Sequence, residues 1–600
     1  MQLKVQYIDV DRMRRALTAG LHTLISEKDF LNDINVFPIA DGDTGNNLSQ
    51  TARAALIPLK NRHHKTVKNL LNDVAYAALD GAQGNSGTIL AQYFLGLAEG
   101  LENNQRLATS DFQFGLINAA KTTRDAIENP REGTIISVID KVAETAQFNS
   151  SEDFAELLPE LLLRAKDSLQ DTTDQPEELR IAGVVDAGGH GFVSILDGCM
   201  KYLKEGLISK QASEIKIDRI DSPEPTDNKI DVNFRYCIEC LVSDATLEIA
   251  DLRKFLQPLG ESLVIAGSKN LMRIHIHSNN PNKIFNIASQ YGKISKTKAD
   301  DMIGQSRSLK KLNRHTVIVT DSACDIPEKI MMEQDIHMIP LRIQLGDKSY
   351  LDKSVMSSDE FRKQLENKFE NPGTSQPSQG DFTRTFEFLG SHYLQVISIN
   401  LSSHLSGTFR GAKMAIKRFP EKNNIKIIDS ANISAGQGLL VAKASELVNQ
   451  GYEGDDLLKK IEAEKTKIRT FVLLANLDAA VRSGRVHSSL KTLANIFHIT
   501  PILTNTPSGK IGICGYIPGR FNIVERFAKL ISKKLNKNLH WDIAISHSPN
   551  QNNKADVIIK ALKHQNNKLN LSWTTDIGAA LGIHAGMDAI VIAIREDASK

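Results

Sequence analysis

Two aspartates separated by one glycine are the clearest chemical signal in this chain. Asp41 and Asp43 belong to the segment NVFPIADGDTGNN at residues 35–47. Glycine favours turn geometry over a helix, so both carboxylates can converge on one point. Converging oxygen ligands without a nearby histidine or cysteine suit Mg²⁺, which proteins often hold with one or two carboxylates plus phosphate oxygens. The segment predicts a magnesium–nucleotide site, and an Asx-turn with two solvated acids is the alternative.

Two glycine-rich segments could contribute to the same site. GAQGNSG at residues 81–87 opens a helical pattern, and GVVDAGGHG follows at residues 183–191. Backbone N–H groups at the start of a helix can bind phosphate. Taken alone, either segment could equally be a tight turn or a close contact between helices.

Together with PREGTI at residues 130–135, these segments resemble, in order, the motifs of the DAK2, or DhaL-like, kinase domain. That domain is the ATP-binding part of dihydroxyacetone kinases and fatty acid kinases. The resemblance covers about residues 5–205 and implies a barrel of antiparallel helices with ATP and two Mg²⁺ at one end.

The same resemblance implies roles for individual residues. Asp41 and Asp43 would be Mg²⁺ ligands and the catalytic residues. The dihydroxyacetone kinases use a third, upstream aspartate as a ligand. Asn35 occupies the nearest position in this chain, as an asparagine does in the fatty acid kinase branch. Contacts with phosphate or adenine are implied for Thr44, Asn47, Gly84, Asn85 and Ser86.

Composition excludes several classes of protein. The formal net charge is +2 and no basic block stands out, so we expect no nucleic-acid partner. Five cysteines in 600 residues do not make a disulfide framework, which fits a reducing cytoplasm. The N-terminus has no apolar signal core, and no stretch approaches the roughly 18 apolar residues of a membrane span. We therefore expect a soluble cytoplasmic protein with at most peripheral membrane contact.

Apolar patterns divide the chain into domains. Residues 1–208 show helical spacing, which predicts an all-α domain. Residues 209–230 are polar and contain two prolines, which predicts a linker. Short strands and helices over 231–306 predict a small α+β domain. Alternating strands and helices over 315–600 predict an α/β domain with sites at the C-terminal ends of strands.

Two cysteines and two histidines raise the question of zinc in the middle domain. His275 and His277 are two residues apart, so on a strand both side chains point to one face. Cys237 and Cys240 are three apart, so only one of them can join the histidines. The spacing leaves open a Cys/His₂ zinc site or ordinary buried core residues.

The segments YC at 236–237 and HIHSNNP at 275–281 resemble the middle domain of fatty acid kinase A. In that domain the two histidines and the first cysteine bind zinc. The resemblance implies that Cys237, His275 and His277 are the ligands and assigns Cys240 to packing. A fourth coordination position would be open or filled from another domain.

Hydroxyl side chains in the C-terminal half stand near predicted helix starts and turns. Ser402 and Ser403 follow a predicted strand at 394–399 and are predicted to open a helix, where a hydroxyl pair suits a carboxylate. Plain helix capping is the alternative. Thr374 and Ser375 could supply further hydroxyls or only shape a turn.

The C-terminal half also carries His584, in an apolar glycine-rich segment where an ordinary core histidine is the alternative to a functional one. Five segments of this half resemble the DegV family of fatty-acid-binding proteins. They are VTDS at 319–322, GTSQP at 373–377, LSSHLSGT at 401–408, SGRV at 483–486 and IGAALGIHAG at 577–586.

The DegV resemblance implies an α/β fold of two subdomains that binds a fatty acid. It places Thr374, Ser403 and His584 around the lipid carboxylate. Ser375 and Ser402 are the neighbouring candidates for the same role. Arg485 would contact the kinase domain, and a surface ion pair is the alternative.

The two resemblances together indicate a kinase fused to an acyl carrier, in a multidomain chain. We expect MgATP to phosphorylate a fatty acid held in the DegV domain, giving an acyl phosphate and ADP. A fatty acid of pKa about 4–5 is already ionised at neutral pH, so no general base is needed. The alternatives are a fatty acid carrier or sensor with a regulatory kinase domain, and a kinase for a small polyol such as dihydroxyacetone (glycerone).

The expected cofactors are ATP, Mg²⁺ and Zn²⁺. The expected partners are a fatty acid, an acyltransferase of phospholipid synthesis and a second copy of the chain in a homodimer.

Overall fold

The computed structural model describes most of the chain. The described residues are 4–37, 42–61, 63–205, 233–305, 315–346, 348–366, 372–417, 424–474, 477–519, 521–549, 552–565, 568–586 and 588–597. Asp41 and the predicted linker at 209–230 lie outside the described residues. The chain divides into two compact units, residues 1–306 and 307–600.

Helices of the first unit form a closed ring. From Thr44–Leu59 to Phe154–Asp171, each of the longer helices contacts the next one along the chain. Ala187–Glu205 then contacts both Phe154–Asp171 and Val10–Ser26, and Val10–Ser26 contacts Thr44–Leu59, which closes the ring. The predicted helical barrel is therefore confirmed. Its helices are Val10–Ser26, Lys28–Asp33, Thr44–Leu59, Val67–Gly81, Gly84–Glu99, Thr109–Ala126, Ile135–Phe148, Phe154–Asp171, Glu177–Ala182 and Ala187–Glu205.

Local sequence explains where several of these helices begin. The side chains of Asp9, Thr66, Thr134 and Asp153 each accept a hydrogen bond from a backbone N–H in the first turn of the helix that follows. Such caps satisfy N–H groups that have no partner inside the helix. Gly84–Glu99 is the most enclosed helix, and all its residues from 87 to 98 are buried. Its apolar residues cover every side, as expected for a helix in the centre of a domain.

The α+β region of the first unit is one antiparallel sheet with two helices. Its strand order is Glu261–Ser268, Leu271–Ser278, Tyr236–Ser243 and Lys293–Asp301. The helices are Ile249–Leu256 and Pro281–Tyr291. The first two of these strands also contact the helix Gly84–Glu99. This contact brings the middle-domain sheet against the helix that the GAQGNSG segment opens.

The described residues of the second unit form three sheets. A parallel sheet has the strand order Ile425–Asp429, Gln395–Asn400, Thr316–Asp321 and Ile336–Ile339. A small antiparallel sheet has the order Lys348–Leu351, Arg342–Leu345 and Gly373–Ser375. A mixed sheet has the order Ile511–Pro518, Ile499–Asn505, Ile468–Leu473, Ile590–Asp597, His540–His547 and Leu569–Asp576. The predicted α/β class is confirmed.

Helices connect and cover these sheets. They are Glu328–Gln334, Ser358–Glu366, Gln379–His392, Thr408–Ile416, Ala435–Asn449, Gly454–Lys467, Asp478–Arg482, Ser488–Ile496, Ile523–Ser532, Asn552–Gln565 and Ala579–Ala585. Among the described residues of the chain, no helix is long and apolar enough to cross a membrane.

One local prediction in this unit is wrong, and one alternative that the sequence left open is excluded. Ser402 and Ser403 do not open a helix, because the next helix begins at Thr408 and the residues between form turns. Thr374 does not lie in a turn: it belongs to the strand Gly373–Ser375, where it pairs with Ile343. In both places the hydroxyl residues resemble helix caps or turn residues in the sequence. Contacts with residues distant in sequence, Gly509 for Ser402 and Ile343 for Thr374, determine the observed structure.

Candidate functional site

The acidic glycine segment of the first unit brings together four predicted site residues. Gly42 has φ +63°, a left-handed conformation that glycine adopts at little cost. It is followed by Asp43, whose Oδ1 accepts a hydrogen bond from Asn47 Nδ2 at 2.8 Å. Thr44 Oγ1 donates to Asn35 Oδ1 at 2.9 Å. These four polar side chains therefore lie side by side at the start of the helix Thr44–Leu59.

The second glycine segment lies directly against the first. Gly84 has φ +63°, and a Cβ atom added to it would lie 2.4 Å from Asn47 Nδ2. Only glycine fits this approach, so the two loops are in contact through Gly84 and Asn47. Asn85 Oδ1 is buried and has no hydrogen-bond partner among the described residues. A buried acceptor without a partner is costly, and a donor group of a bound nucleotide would satisfy it.

Glu239 is a site residue that the sequence analysis missed. It lies on the middle-domain strand Tyr236–Ser243, and its Oε1 accepts a hydrogen bond from the N–H of Gly84 at 2.9 Å. This N–H is one of the helix-start donors that sequence reasoning assigned to phosphate. In this arrangement the Gly84 N–H is bonded to Glu239, and other groups of the loop are left to contact a nucleotide.

Asp186 is a second missed residue beside the same loops. It is buried and accepts a hydrogen bond from Gly189 N at 2.6 Å. Burial raises its pKa to about 6, against the effect of its bonds to backbone N–H groups. A Cβ atom added to Gly188 would lie 3.2 Å from both Asp186 Oδ2 and Ser86 Oγ. Asp186 and Ser86 therefore border the same narrow gap. The glycines of the DAGG segment were its only signal in the sequence.

The predicted zinc ligands meet on one face of the middle-domain sheet. In the antiparallel ladder Cys237 pairs with His277, and Glu239 pairs with His275. Ligand atoms of Cys237, His275 and His277 all lie within 4.8 Å of one another. Cys240 is buried and is not a member of this group among the described residues. The alternation of side chains along a strand explains which cysteine joins the histidines.

The geometry of these side chains suits a tetrahedral ion. His275 Nε2 and His277 Nε2 are 3.3 Å apart. Two nitrogens bound at about 2.0–2.1 Å with a tetrahedral angle would be separated by about 3.3–3.4 Å. Burial, together with neighbouring His275, lowers the pKa of His277 to about 3, so this imidazole is neutral and able to act as a ligand.

Two charged residues contact Glu239, which lies beside the group of Cys237, His275 and His277. Arg273 and Lys298 both donate to its carboxylate, Lys298 at 3.1 Å, and all three residues are buried. Burial alone would raise the pKa of Glu239, but Lys298 and Arg273 outweigh burial and hold this pKa well below its ordinary value. The carboxylate is therefore ionised and fully hydrogen-bonded inside the protein.

The second unit contains a mainly apolar cavity. Its empty volume, including the open mouth, is about 960 Å³. Aliphatic residues from several strands and helices form most of its wall, among them Leu341, Leu401, Val472, Leu503 and Leu581. Such a cavity suits an extended hydrocarbon better than a polar metabolite.

Three predicted residues lie on the wall of this cavity. They are Thr374, Arg485 and His584. Thr374 Oγ1 and His584 Nε2 are 2.7 Å apart, while His584 Nδ1 is buried without a partner among the described residues. Burial, with a smaller contribution from Arg485, lowers the pKa of His584 to about 4. Arg485 also donates a hydrogen bond to Leu405 O at 3.3 Å.

The predicted serines are not part of the described cavity wall. Ser402 is buried and its hydroxyl donates to Gly509 O at 2.8 Å. Ser403 donates its backbone N–H to the carboxylate of Asp429. Ser375 is exposed. Instead, Ser406 lies on the wall, in the same turn as Ser402 and Ser403.

Buried acids hold the short helix that carries His584. Asp325 Oδ1 accepts from Gly578 N at 3.0 Å, and Asp352 Oδ1 accepts from Ala580 N at 3.3 Å. Carboxylates at a helix N-terminus satisfy its free N–H groups and interact favourably with its dipole. Lys353 Nζ donates to Asp325 at 2.8 Å. The sequence carries no local signal of this anchor, because the two acids lie more than 200 residues before the helix.

Comparison with protein families finds three matches in one chain. A model of the DAK2 domain matches residues 38–201, and a model of the middle domain of fatty acid kinase A-like proteins matches residues 233–309. A model of the DegV family matches residues 315–597. The predicted fusion of a DAK2 domain with a DegV-family domain is confirmed.

Curated relatives include uncharacterized proteins of Staphylococcus aureus strains USA300 and N315. Each is 30% identical over 311 residues, which are 50% of this chain and 56% of the relative. The match thus spans about half the length of these relatives.

Solved structures similar to the chain include a DegV fatty acid binding protein from Bacillus subtilis. It is 28% identical, covers 48% of this chain and 100% of its own, and has a TM-score of 0.43. A fatty acid binding DegV family protein from Streptococcus agalactiae is 25% identical, covers 47% and 99%, and has a TM-score of 0.42.

Proposed function

Because the chain carries a DAK2 domain, a middle domain like that of fatty acid kinase A and a DegV-family domain, we propose that it is a fatty acid kinase. It transfers the γ-phosphoryl group of MgATP to the carboxylate of a fatty acid bound in the DegV-family unit. The observation that carries the acceptor assignment is the apolar cavity with Thr374 and His584 in contact on its wall.

The cavity supplies what a fatty acid requires. Its aliphatic wall removes the hydrocarbon from water, at about 25 cal/mol per Å² of apolar surface. A carboxylate buried without partners would cost several kcal/mol. Thr374 Oγ1 and His584 can donate hydrogen bonds to it, and Arg485 on the same wall adds a positive charge. Ser375, Ser402 and Ser403 would contact the fatty acid carboxylate only after a rearrangement of the cavity wall, or would act on it through neighbouring residues.

The loops of the first unit supply what a nucleotide requires. Asp41, Asp43 and Asn35 would hold Mg²⁺, which neutralises charge on the phosphate oxygens. Thr44, Asn47 and Ser86 would contact the nucleotide, and the unpartnered Oδ1 of Asn85 would accept from one of its donor groups. Positioning and neutralisation are the main requirements of phosphoryl transfer.

The reaction balances without acid–base catalysis. A carboxylate oxygen forms a bond to the γ-phosphorus, and the bond between this phosphorus and the β,γ-bridging oxygen breaks. The products are an acyl phosphate and ADP. The acid is ionised at neutral pH, so no proton has to be removed. An acyl phosphate is a mixed anhydride, so the enzyme that consumes it would be an acyltransferase.

The test is to incubate the purified chain with γ-labelled ATP, Mg²⁺ and palmitate or oleate, and to trap acyl phosphate as its hydroxamate. Hydroxamate should form only when both substrates are present, and it should be lost in Asp43→Asn and reduced in His584→Ala. Phosphorylation of dihydroxyacetone instead would contradict the acyl acceptor. A co-purified fatty acid without any transfer would indicate a carrier.

A further inference from the structure

One oxygen atom of Glu239 lies between the candidate metal group and the nucleotide loop. Glu239 is wholly buried. Its Oε1 accepts from Gly84 N at 2.9 Å and lies 3.6 Å from His275 Nδ1. Two regions far apart in sequence therefore lie close to the same carboxylate oxygen.

On the metal side, Glu239 is placed to orient a ligand. The Nε2 atoms of His275 and His277 have the spacing of a tetrahedral pair, and His275 Nδ1 then lies 3.6 Å from Glu239 Oε1 and 3.9 Å from Cys237 Sγ. Histidines that bind metals usually donate their second N–H to a carboxylate or carbonyl, which fixes the ring and its tautomer. Occupation of the site would therefore draw a proton donor of His275 toward Glu239 Oε1.

On the nucleotide side, the same atom holds the first residue of the helix Gly84–Glu99. Gly84 packs against the side chain of Asn47, with only 2.4 Å between Asn47 Nδ2 and the position of a Cβ on Gly84. Asn47 in turn donates to Asp43. Glu239, Gly84 and Asn47 therefore form a chain of contacts that ends at Asp43, a predicted Mg²⁺ ligand.

We propose that Glu239 is a positioning residue through which zinc at Cys237, His275 and His277 sets the affinity of the Gly84 loop for nucleotide. The inference rests on the proposed nucleotide site. With zinc bound, His275 fixes the Glu239 carboxylate, and the carboxylate fixes the Gly84 loop in the arrangement that Asn47 and Asp43 require. Without zinc, no ion orients His275, and Glu239 keeps only its bonds to Arg273, Lys298 and the Gly84 N–H, so the loop loses part of this restraint. Coupling is reciprocal, so bound nucleotide also tightens zinc binding.

The experiment measures the dissociation constant of MgADP by calorimetry for the full chain, zinc-loaded and after chelation with repurification. Circular dichroism checks that the zinc-free chain remains folded. We expect zinc removal to weaken MgADP binding at least about fivefold. Glu239→Gln should lower zinc affinity about 10–100-fold and make MgADP binding independent of zinc.

Two cysteine variants provide the matched comparison. Cys237→Ser removes a proposed ligand and leaves Glu239 in place, so it should reproduce the weak MgADP binding of the zinc-free chain. Cys240→Ala, on the same strand but outside the ligand group, should bind both zinc and MgADP like the wild type. These variants test whether zinc affects MgADP binding even if Glu239→Gln fails to fold.

The outcomes separate the two proposals. Equal MgADP affinity in the zinc-loaded and zinc-free chains overturns the coupling and leaves the nucleotide site standing. Failure of the folded, zinc-loaded chain to bind MgADP overturns both.

Discussion

The group around Glu239 and the cavity beside His584 differ in how their polar atoms are hydrogen-bonded. Around Glu239, ionised side chains are buried together, and Arg273, Lys298 and the Gly84 N–H all bond to one carboxylate. In the cavity a few polar side chains interrupt an aliphatic wall, and His584 Nδ1 has no partner among the described residues. The first arrangement pairs its carboxylate with cations and a backbone N–H inside the protein, whereas the second has an unpartnered nitrogen that a ligand could bond.

This difference predicts how each region responds to change. A buried ion pair that loses one partner leaves an uncompensated charge, which is strongly destabilising. A cavity wall that loses one hydrogen-bonding group loses affinity for its ligand while its fold persists. Changes in the first region should therefore affect stability and nucleotide chemistry, and changes in the second should affect lipid binding.

The largest expected effect is at the acidic loop. Asp43→Asn should reduce acyl phosphate formation about 10²–10³-fold, because it removes charge directed at the metal and phosphates. The bound fatty acid should remain. Hydroxamate trapping measures the first result and solvent extraction the second. Asp167→Asn, which removes an exposed ion-pairing carboxylate of the same barrel, is the control. Near-normal transfer by Asp43→Asn would show that the metal site lies elsewhere.

The next largest expected effect is a loss of folding stability when one cation beside Glu239 is removed. Arg273→Met should destabilise the first unit by about 3–5 kcal/mol, because it leaves the buried Glu239 short of a partner. Lys269→Met, which breaks an exposed pair with Glu248, should cost less than about 1 kcal/mol. Denaturant unfolding of both variants measures the difference. Equal costs would mean that the Arg273–Glu239 pair contributes no more than a surface pair.

Removing the imidazole of the cavity should have a smaller effect on binding. His584→Ala should weaken fatty acid binding about 10–100-fold, the value of a hydrogen bond to a charged group. MgADP binding should not change. Thr374→Val should weaken lipid binding in the same direction, whereas Ser375→Ala, at the exposed neighbouring hydroxyl, should not. Titration with a fluorescent fatty acid provides the measurement. Wild-type affinity in His584→Ala would show that the fatty acid carboxylate does not bind at His584.

The smallest expected effect is on pH dependence. Burial, aided by Arg485, lowers the pKa of His584 to about 4, below the 6.5 of a free histidine. The folded protein therefore favours the neutral ring, so this residue costs stability progressively as pH falls from about 6.5 to about 4. A bound carboxylate favours the imidazolium and raises this pKa, so lipid binding should take up protons as pH falls below 7. Calorimetry in two buffers of different ionisation enthalpy detects this uptake, and the same uptake in His584→Ala would assign it to another group.

Much of the fold could be predicted from local patterns. The short strands predicted over 231–306 appear as Tyr236–Ser243, Glu261–Ser268 and Leu271–Ser278, because alternating apolar residues fit one buried face. The fourth strand of that sheet, Lys293–Asp301, is rich in lysine and carries no apolar strand pattern of its own. Lys298 is buried there only because Glu239 and Asp300 neutralise it. That compensation comes from other segments and has no local signature.

Within the candidate sites, the sequence by itself determined which residue types were available and which could share a face. It joined His275 and His277 with Cys237, since strand periodicity is a local property. The tertiary structure decided which distant groups meet. It brought Thr374 against His584, removed Ser403 from the cavity wall, and set Glu239 between the metal group and Gly84. These contacts depend on strand register and on the packing of a sheet against a barrel helix, and neither is encoded in the spacing of any single motif.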